Sequence, residues 1–303
     1  TKPHVRYLKI SEGCDHTCAF CAIPLMRGKH RSRPMEELVR EAQELEAQGA
    51  REINLVAQDL GHYGRDIPGG PRLPDLIRAL LRETSVPWYR CFYVYSMGIT
   101  TELVDLWARE PRLVPYLDMP IQHASDRMLK LMRRPERQQT IRTKVAWLRD
   151  AIPDMTIRTT ALVGFPTESD AEFRELLEFV DEIQFDRLGA FAYSPQEGTR
   201  AALLADDVPD AVKRDRLEQV MELQRAVSAD RLGRMVGRET DVLVDEPAAL
   251  GDPGDLVGRS PFQADDVDGC TYLRSPSDTA PGSFVRARVV ETLDYDVIAE
   301  PAS

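Results

Sequence analysis

Three of the five cysteines in the chain lie within one short stretch near its start. Cys14, Cys18 and Cys21 follow an apolar run with the spacing C-x3-C-x2-C. Such gaps allow one tight loop to direct three sulfurs to a common point, where thiolates bind zinc or an iron–sulfur cluster. A structural zinc site normally has four protein ligands, so three ligands indicate a centre with one open position. The spacing therefore favours a [4Fe-4S] cluster with one iron free of protein.

The spacing alone leaves two other interpretations open. His16 or His30 could complete a zinc site, or the thiols could be buried without any cofactor. Cys91 and Cys270 lie in strand-like segments, so we interpret them as packing residues. An odd number of cysteines, three of them in one loop, does not fit a disulfide framework, and we therefore expect a reducing, cytoplasmic location.

Length and charge set limits on the class of protein. A chain of 303 residues can form one large and one small domain. No run approaches the roughly 20 apolar residues that cross a bilayer, and no signal peptide is predicted at the start. The formal net charge of -11 argues against a general nucleic-acid binder, which relies on Lys and Arg, and suits a basic partner.

Strand-like and helix-like segments alternate over the first two thirds of the sequence, which predicts a parallel sheet or barrel. The predicted strands are Val5–Ile10, Glu52–Ala57, Arg90–Tyr95, Tyr116–Ile121, Thr156–Val163 and Arg187–Tyr193. The predicted helices between them are Met35–Ala47, Pro74–Arg82, Glu102–Arg109, Thr140–Asp150 and Ser169–Asp181. Active groups of parallel barrels collect at the carboxyl ends of the strands, and the cysteine loop follows the first strand.

A long helix and a β-rich segment are predicted for the rest of the chain. Apolar residues near helical spacing predict a helix over Pro209–Val236. Short β-rich runs separated by Pro, Gly and Asp then predict a small β-barrel. These runs are Thr240–Val244, Thr271–Leu273, Phe284–Val290 and Tyr295–Ile298. We therefore expect two domains, residues 1–236 and 237–303.

The cysteine stretch resembles the signature of radical S-adenosylmethionine (SAM) enzymes, with Phe20 in the aromatic position before Cys21. The resemblance implies an open (β/α)6 partial TIM barrel. It also implies that the free iron binds SAM and that one electron from the cluster cleaves SAM to a 5'-deoxyadenosyl radical. The segment Gly282–Val290 resembles the closing part of a TRAM domain, which implies a small all-β barrel at the end of the chain.

Further motifs resemble the methylthiotransferase branch of this superfamily. They are Tyr7–Cys14, Leu117–Ser125, Val163–Glu168 and Phe191–Thr199. Asp59 after Gln58 and the pair Ser194-Pro195 resemble members that modify ribosomal protein twelve of the small subunit. The resemblance implies addition of a methylthio group to the β-carbon of an aspartate in that protein. The alternatives are methylthiolation of a tRNA adenosine, or a zinc-binding interaction module without catalysis.

The resemblance also implies roles for individual residues. Cys14, Cys18 and Cys21 would hold the cluster. The segment from Thr160 to Glu168 resembles the family's SAM-binding pattern G-x-I-x-G-x-x-x-E, from which Thr160 and Leu162 depart. A structural alternative for Glu168 is that it favours the start of a helix. The residues implied for SAM binding are Phe20, Gln58, Gln122, Arg158, Thr160, Leu162, Gly164 and Glu168.

Partners follow from the same resemblance and from charge. Residues 237–303 carry fourteen acidic and five basic side chains, which favours a basic ribosomal protein over RNA. An electron donor such as flavodoxin or ferredoxin is implied. Members of the family carry a second [4Fe-4S] cluster in an N-terminal domain. We expect this chain to lack that domain, and to cleave SAM without completing methylthiolation.

Overall fold

The computed structural model describes residues 2–275 and 279–302 of the chain. Its first part is an open sheet of six parallel strands with helices on one face, and its last part is a closed barrel of five strands. This arrangement confirms the fold class predicted from the sequence. Among the described residues, no helix is both long and apolar enough to cross a lipid bilayer.

Over the described residues of the first part, the chain forms eight strands and eight α-helices. The strands are β1 (Val5–Lys9), β2 (Ser11–Glu12), β3 (Arg31–Ser32), β4 (Glu52–Val56), β5 (Trp88–Cys91), β6 (Leu113–Asp118), β7 (Thr156–Val163) and β8 (Arg187–Ala192). The helices are α1 (Ile23–Arg27), α2 (Met35–Ala47), α3 (Leu73–Glu83), α4 (Thr101–Arg109), α5 (Asp126–Leu131), α6 (Gln138–Ala151), α7 (Asp170–Ile183) and α8 (Asp210–Gly233). The parallel sheet has the order β1-β4-β5-β6-β7-β8, and β2 pairs with β3 in a separate hairpin.

Side chains alternate between the two faces of the sheet, so the two faces contact different parts of the molecule. Ile53, Leu55 and Leu117 lie on the outer face and pack into one apolar core with helices such as α3. The helices supply amphipathic faces, and α7 begins with a capping box in which Ser169 and Glu172 bond to each other's backbone. The helix layer therefore covers the outer face only.

The C-terminal barrel covers much of the inner face. Its strands are β9 (Glu239–Pro247), β10 (Leu256–Arg259), β11 (Thr271–Leu273), β12 (Phe284–Thr292) and β13 (Val297–Pro301), closed in the order β10-β11-β13-β12-β9. Trp88 and Tyr116 of the sheet form one buried cluster with Leu243 and Ala264 of the barrel. Full closure removes the free sheet edges that an open five-stranded sheet would expose.

Buried ion pairs also join the two parts. Glu52 accepts hydrogen bonds from Arg90 Nε, at 2.8 Å, and from Arg259 of the barrel. Arg259 Nε also donates to Asp245 at 2.7 Å, and His4 Nε2 lies 2.8 Å from the same carboxylate. Burial alone would raise the pKa of Glu52, but the charges of Arg90 and Arg259 hold it below its usual value. The junction is thus a charged network inside the protein.

Strands β5 and β6 lie earlier in the chain than predicted. Their bounds are Trp88–Cys91 and Leu113–Asp118, instead of Arg90–Tyr95 and Tyr116–Ile121. Tyr93 has a left-handed φ of 58°, which interrupts the first of these predicted strands, and the second contains Pro120, which has no N–H for a ladder hydrogen bond. Apolar and aromatic residues beyond each strand were therefore mistaken for its continuation. The sequence analysis also missed α5 and β10.

The junction network gives a test of stability. Glu52→Gln removes the carboxylate shared by Arg90 and Arg259, so both guanidinium groups stay buried with less compensation. We expect a loss of about 3–5 kcal/mol in the free energy of unfolding, measured by urea denaturation. The matched control is Glu182→Gln, which removes an exposed pair with Arg142 and should cost less than about 1 kcal/mol. Equal effects of the two substitutions would contradict a stabilising network.

Candidate iron–sulfur site at the mouth of the sheet

The three clustered cysteines lie in the loop between β2 and α1, at the carboxyl end of the first sheet strand. Gly13 begins this loop with a φ of 75°, and a Cβ at this position would collide with the backbone carbonyl of Lys29. The backbone N–H of Cys14 donates to Gly28 O at 3.1 Å, and that of Ala19 donates to Met132 O at 2.9 Å. The loop is therefore held from both sides by backbone hydrogen bonds.

Polar groups near the three sulfurs favour their charged form. The backbone N–H groups of His16 and Ile23 lower the pKa of the Cys14 and Cys21 thiols, against the larger rise that burial causes. Cys18 Sγ lies 3.8 Å from Arg134 Nη1 and 3.8 Å from the Tyr95 hydroxyl. Donors directed at sulfur stabilise thiolates, the form that binds metal. The donor set therefore fits an anionic metal cluster on these cysteines.

The thiols also interact with one another. Burial raises the pKa of Cys14 to about 11, and the neighbouring Cys18 and Cys21 raise it further while the N–H of His16 opposes the shift. Burial also raises the pKa of Cys21. Cys14 and Cys21 are half-buried, and neighbouring thiols disfavour the ionisation of both, so a strong positive charge is needed for the three sulfurs to bind as thiolates together. A bound metal centre supplies such a charge.

A stacked group of side chains lies behind Cys18. The guanidinium of Arg134 lies 3.9 Å from the centre of the Tyr95 ring, and the His16 ring stacks on Tyr95 at 4.3 Å. Arg134 is buried and donates to Pro120 O at 2.7 Å and to Glu136 at 3.0 Å. The stack fixes the direction in which Arg134 and Tyr95 present their donors to sulfur.

The two histidines considered as zinc ligands have other partners. His16 Nε2 and His62 Nδ1 each lie 2.7 Å from Asp59 Oδ2. His30 is buried, with Nε2 at 3.0 Å from Ser32 Oγ. The ligand atoms of His16, Asp59 and His62 lie within 4.8 Å of one another, a spacing that their direct hydrogen bonds explain. These contacts do not place His16 or His30 as a fourth ligand beside the cysteines.

Several residues predicted to bind SAM meet at the mouth of the sheet. Arg158, Thr160 and Leu162 alternate along β7, which places them on the same face. Leu162 joins a buried apolar cluster that includes Phe165, and Phe20 of the cysteine loop packs against this cluster. The structure therefore brings Phe20 and Leu162 together beside the cysteines.

Two glutamines border the same region. Gln122 follows β6, where its N–H donates to Thr160 O at 2.8 Å and its carbonyl accepts from Leu162 N at 2.7 Å. Gln58 follows β4, and its buried Oε1 has no hydrogen-bond partner among the described residues. A buried acceptor without a partner is costly unless a ligand or water meets it. Gln58 is therefore the residue of this group whose surroundings point most directly to a missing partner.

Gly164 and Glu168 have structural roles in the turn after β7. Gly164 has a φ of 69°, and a Cβ there would collide with the Lys213 side chain of α8. Glu168 is buried and accepts hydrogen bonds from Gly164 N, from His123 Nε2 at 2.9 Å and from Arg216 Nη1 at 2.6 Å. Protein donors therefore occupy the Glu168 carboxylate, and a direct contact with SAM stays a prediction for both residues.

Arg158 and Asp118 form a pair deeper on the inner face. Arg158 Nη1 lies 2.9 Å from Asp118 Oδ2, and Arg158 Nε lies 3.8 Å from Asp268 of the C-terminal barrel. Asp118 is fully buried, and its Oδ1 has no hydrogen-bond partner among the described residues. Burial raises the pKa of Asp118 to about 6, although Arg158 lowers it. The carboxylates already beside Arg158 compete with any anionic ligand.

The sequence analysis missed the most direct contacts of the cysteines. Arg134 was not among the predicted site residues, and Tyr95 was noted only as the end of a predicted strand. These residues are 116 and 77 positions from Cys18, so no local pattern links them to it. For Tyr95 the available signal was position, because it lies shortly after β5 at the carboxyl end of the parallel sheet, whereas Arg134 lies beyond α5 and had no such signal.

Comparison with known families and structures agrees with this arrangement. A model described as the Radical SAM superfamily matches residues 8–180, and a TRAM domain model matches residues 236–301. Coproporphyrinogen III oxidase (HemN) from Escherichia coli, a radical SAM enzyme, superimposes with a TM-score of 0.57 at 18% identity, over 75% of this chain and 53% of that one. The radical SAM methyltransferase TsrM from Kitasatospora setae gives 0.55 at 13% identity, over 75% and 52%. These likenesses show the fold.

Closer relatives are found by sequence. Ribosomal protein uS12 methylthiotransferase RimO from Desulforudis audaxviator is 49% identical over 302 residues, which are 99% of this chain and 66% of the relative. RimO from Flavobacterium johnsoniae is 43% identical over 303 residues, 100% of this chain and 68% of the relative. The chain belongs to the radical SAM superfamily and, within it, to the RimO family. It spans about two thirds of the length of these relatives.

Asp118 gives a prediction about pH. Its folded pKa of about 6 lies above the unfolded value of about 3.9, so its contribution to stability is present below about pH 4 and lost as the pH rises through 6. In the unchanged protein, ionisation of Asp118 should lower the free energy of unfolding by about 2–3 kcal/mol across this pH range. In Asp118→Asn this decrease should be absent. Urea denaturation between pH 4 and 7.5 measures it.

The control for this profile is Asp181→Asn, which changes an exposed carboxylate on α7. Its profile should run parallel to that of the unchanged protein. A parallel profile for Asp118→Asn as well would show that Asp118 does not titrate near pH 6.

Proposed function

We propose that this chain contains the radical-generating core of a methylthiotransferase that adds a methylthio group to the β-carbon of an aspartate in ribosomal protein uS12. The observation that carries the proposal is the loop that brings Cys14, Cys18 and Cys21 together, with Arg134 Nη1 at 3.8 Å from Cys18 Sγ and a backbone N–H favouring the thiolate form of each of the other two. Relatives named as uS12 methylthiotransferases share 43–49% of its residues. The substrate is taken from those relatives.

Under this proposal the three cysteines hold a [4Fe-4S] cluster and leave one iron for SAM. Bound cluster and SAM supply one-electron chemistry that opens an unactivated C–H bond, which acid–base groups cannot do. Phe20 and Leu162 form an apolar wall beside the cysteines and exclude water. The protein's own contribution is therefore to hold, orient and shield the reacting groups.

The inner face at the carboxyl ends of β4, β6 and β7 is the proposed SAM site. Gln58 Oε1 is a buried acceptor that an amino or hydroxyl group of SAM can satisfy. Gln122, Thr160 and Arg158 present polar groups to the same region, while Gly164 and Glu168 maintain the turn next to it. The pairing of Arg158 with Asp118 favours a supporting role for that arginine.

Residues 1–236 and 237–303 are the proposed domains. The C-terminal barrel is the proposed contact for the basic ribosomal protein. The outer surface of this barrel carries fewer acidic side chains than the composition of residues 237–303 suggests. Asp245, Asp265 and Asp268, three of its fourteen acidic residues, are buried at the junction and lie beside cations. The acidic groups that remain exposed still favour a basic partner. A flavodoxin or ferredoxin as electron donor and a cytoplasmic location complete the proposal.

The cysteines provide the first test of the proposed chemistry. Replacing Cys14, Cys18 or Cys21 by Ala should abolish the visible absorbance of a [4Fe-4S] cluster after anaerobic reconstitution, and with it the reductive release of 5'-deoxyadenosine from SAM. The matched control is Cys91→Ala, because Cys91 is fully buried in the outer core and should not affect cluster binding. SAM cleavage by any of the three loop variants would contradict the assignment, as would zinc without iron in the unchanged chain.

The substrate is tested separately. Mass spectrometry of uS12 from cells in which this gene is disrupted should show loss of a methylthio group from one aspartate. Binding of the purified chain to uS12 and to tRNA, measured by fluorescence anisotropy, should favour uS12 and weaken with added salt. Unchanged modification of uS12 together with tight tRNA binding would favour the tRNA-modifying alternative.

A further inference from the structure

The three cysteines differ in the kind of donor that reaches their sulfurs. For Cys14 and Cys21, backbone N–H groups two positions later in the chain favour the thiolate. Among the described residues, Cys18 is the cysteine of the loop whose sulfur lies within hydrogen-bond distance of distant side chains, Arg134 Nη1 and the Tyr95 hydroxyl, each at 3.8 Å. These two contacts can be changed by substitution without altering the loop.

Arg134 brings a permanent charge to this sulfur. A guanidinium stays protonated in proteins, and the side chain of Arg134 is fully buried. Its Nη2 donates to Pro120 O and to Glu136 Oε1, while Nε has no hydrogen-bond partner among the described residues. Because Glu136 is also buried, the pair remains in the protein interior, where charges act strongly on their neighbours. Nη1 is the part of Arg134 directed at Cys18.

Tyr95 is held in place by its two stacking partners. Its ring contacts the Arg134 guanidinium and stacks with His16, whose Nε2 lies 2.7 Å from Asp59. The backbone N–H of Tyr95 also points to Asp59 Oδ1, at 3.4 Å. The hydroxyl of Tyr95 is therefore held toward Cys18 by contacts from three separate segments of the chain.

We propose that Arg134 and Tyr95 raise the reduction potential of the cluster held by Cys14, Cys18 and Cys21, acting through the sulfur of Cys18. The inference rests on the proposed function, because it requires the cluster. Reduction adds one electron from the donor, which increases the negative charge on the thiolate sulfurs. A positive charge and hydrogen-bond donors at sulfur stabilise this reduced state more than the oxidised one. Both are positioning residues, because they contact a ligand of the cluster and not the substrate.

The test is a redox titration of the reconstituted chain followed by electron paramagnetic resonance, without SAM or substrate. In Arg134→Gln/Glu136→Gln both members of the buried pair become amides, so no charge is left uncompensated. We expect at least a tenfold lower ratio of reduced to oxidised cluster at a given potential, which corresponds to a midpoint about 59 mV lower. Tyr95→Phe removes only the hydroxyl and should shift the midpoint in the same direction by a smaller amount.

The matched control is Arg133→Gln. Arg133 is the exposed neighbour of Arg134 in sequence, so this variant makes the same arginine-to-glutamine replacement away from Cys18. Its midpoint should equal that of the unchanged chain. Equal midpoints in all variants would overturn the inference, as would loss of the cluster in Tyr95→Phe, which would assign the hydroxyl to assembly. Failure of the unchanged chain to bind a four-iron cluster would instead overturn the proposed function.

Discussion

The parallel sheet is open, so no further strands close it into a barrel around its inner face. The fold therefore depends on what packs against this face. Here it carries the arginines Arg90, Arg158 and Arg187, which are costly to bury without partners. The C-terminal barrel supplies partners for them: Pro261 O accepts a hydrogen bond from Arg90, and Asp268 Oδ1 forms longer ion pairs with the Nε atoms of the other two, at 3.8 and 3.9 Å. Groups of the barrel therefore complete the buried interior on the inner face of the sheet, in addition to any role of the barrel in binding a partner.

The same inner face is closed at one end and open at the other. Toward the amino ends of the strands, Trp88 and Glu52 are buried against the barrel. Toward the carboxyl ends, the groups are the cysteine loop, Gln58 with an unsatisfied oxygen, and Gln122 in a left-handed conformation. Buried polar atoms without a hydrogen-bond partner among the described residues occur in both halves, including Arg90 Nη2 and Arg187 Nε in the first. The two halves differ in what covers them, because the barrel packs against the first half and leaves the second as the part of the face available to ligands.

Local pattern was sufficient to predict much of the fold, and bounds such as Met35–Ala47 and Thr156–Val163 agree with the structure. It failed at the end of β5, where the chain turns through a left-handed residue, because nothing in the side chain of Tyr93 requires a positive φ. The cysteine ligands were recognisable because they are adjacent in sequence. The side-chain donors to Cys18 were not, because tertiary folding alone brings Arg134 and Tyr95 to it.

Helix α8 makes physical contact with both ends of the molecule. Near its start, Lys213 packs against Gly164, and Arg216 bonds to Glu168 in the turn after β7. Near its end, Leu232 packs with Val289 of the C-terminal barrel. Its 24 residues form a rod about 36 Å long. Inserting one residue would advance the far end by about 1.5 Å and rotate it by about 100°, so the number of residues in α8 is constrained more tightly than their identity.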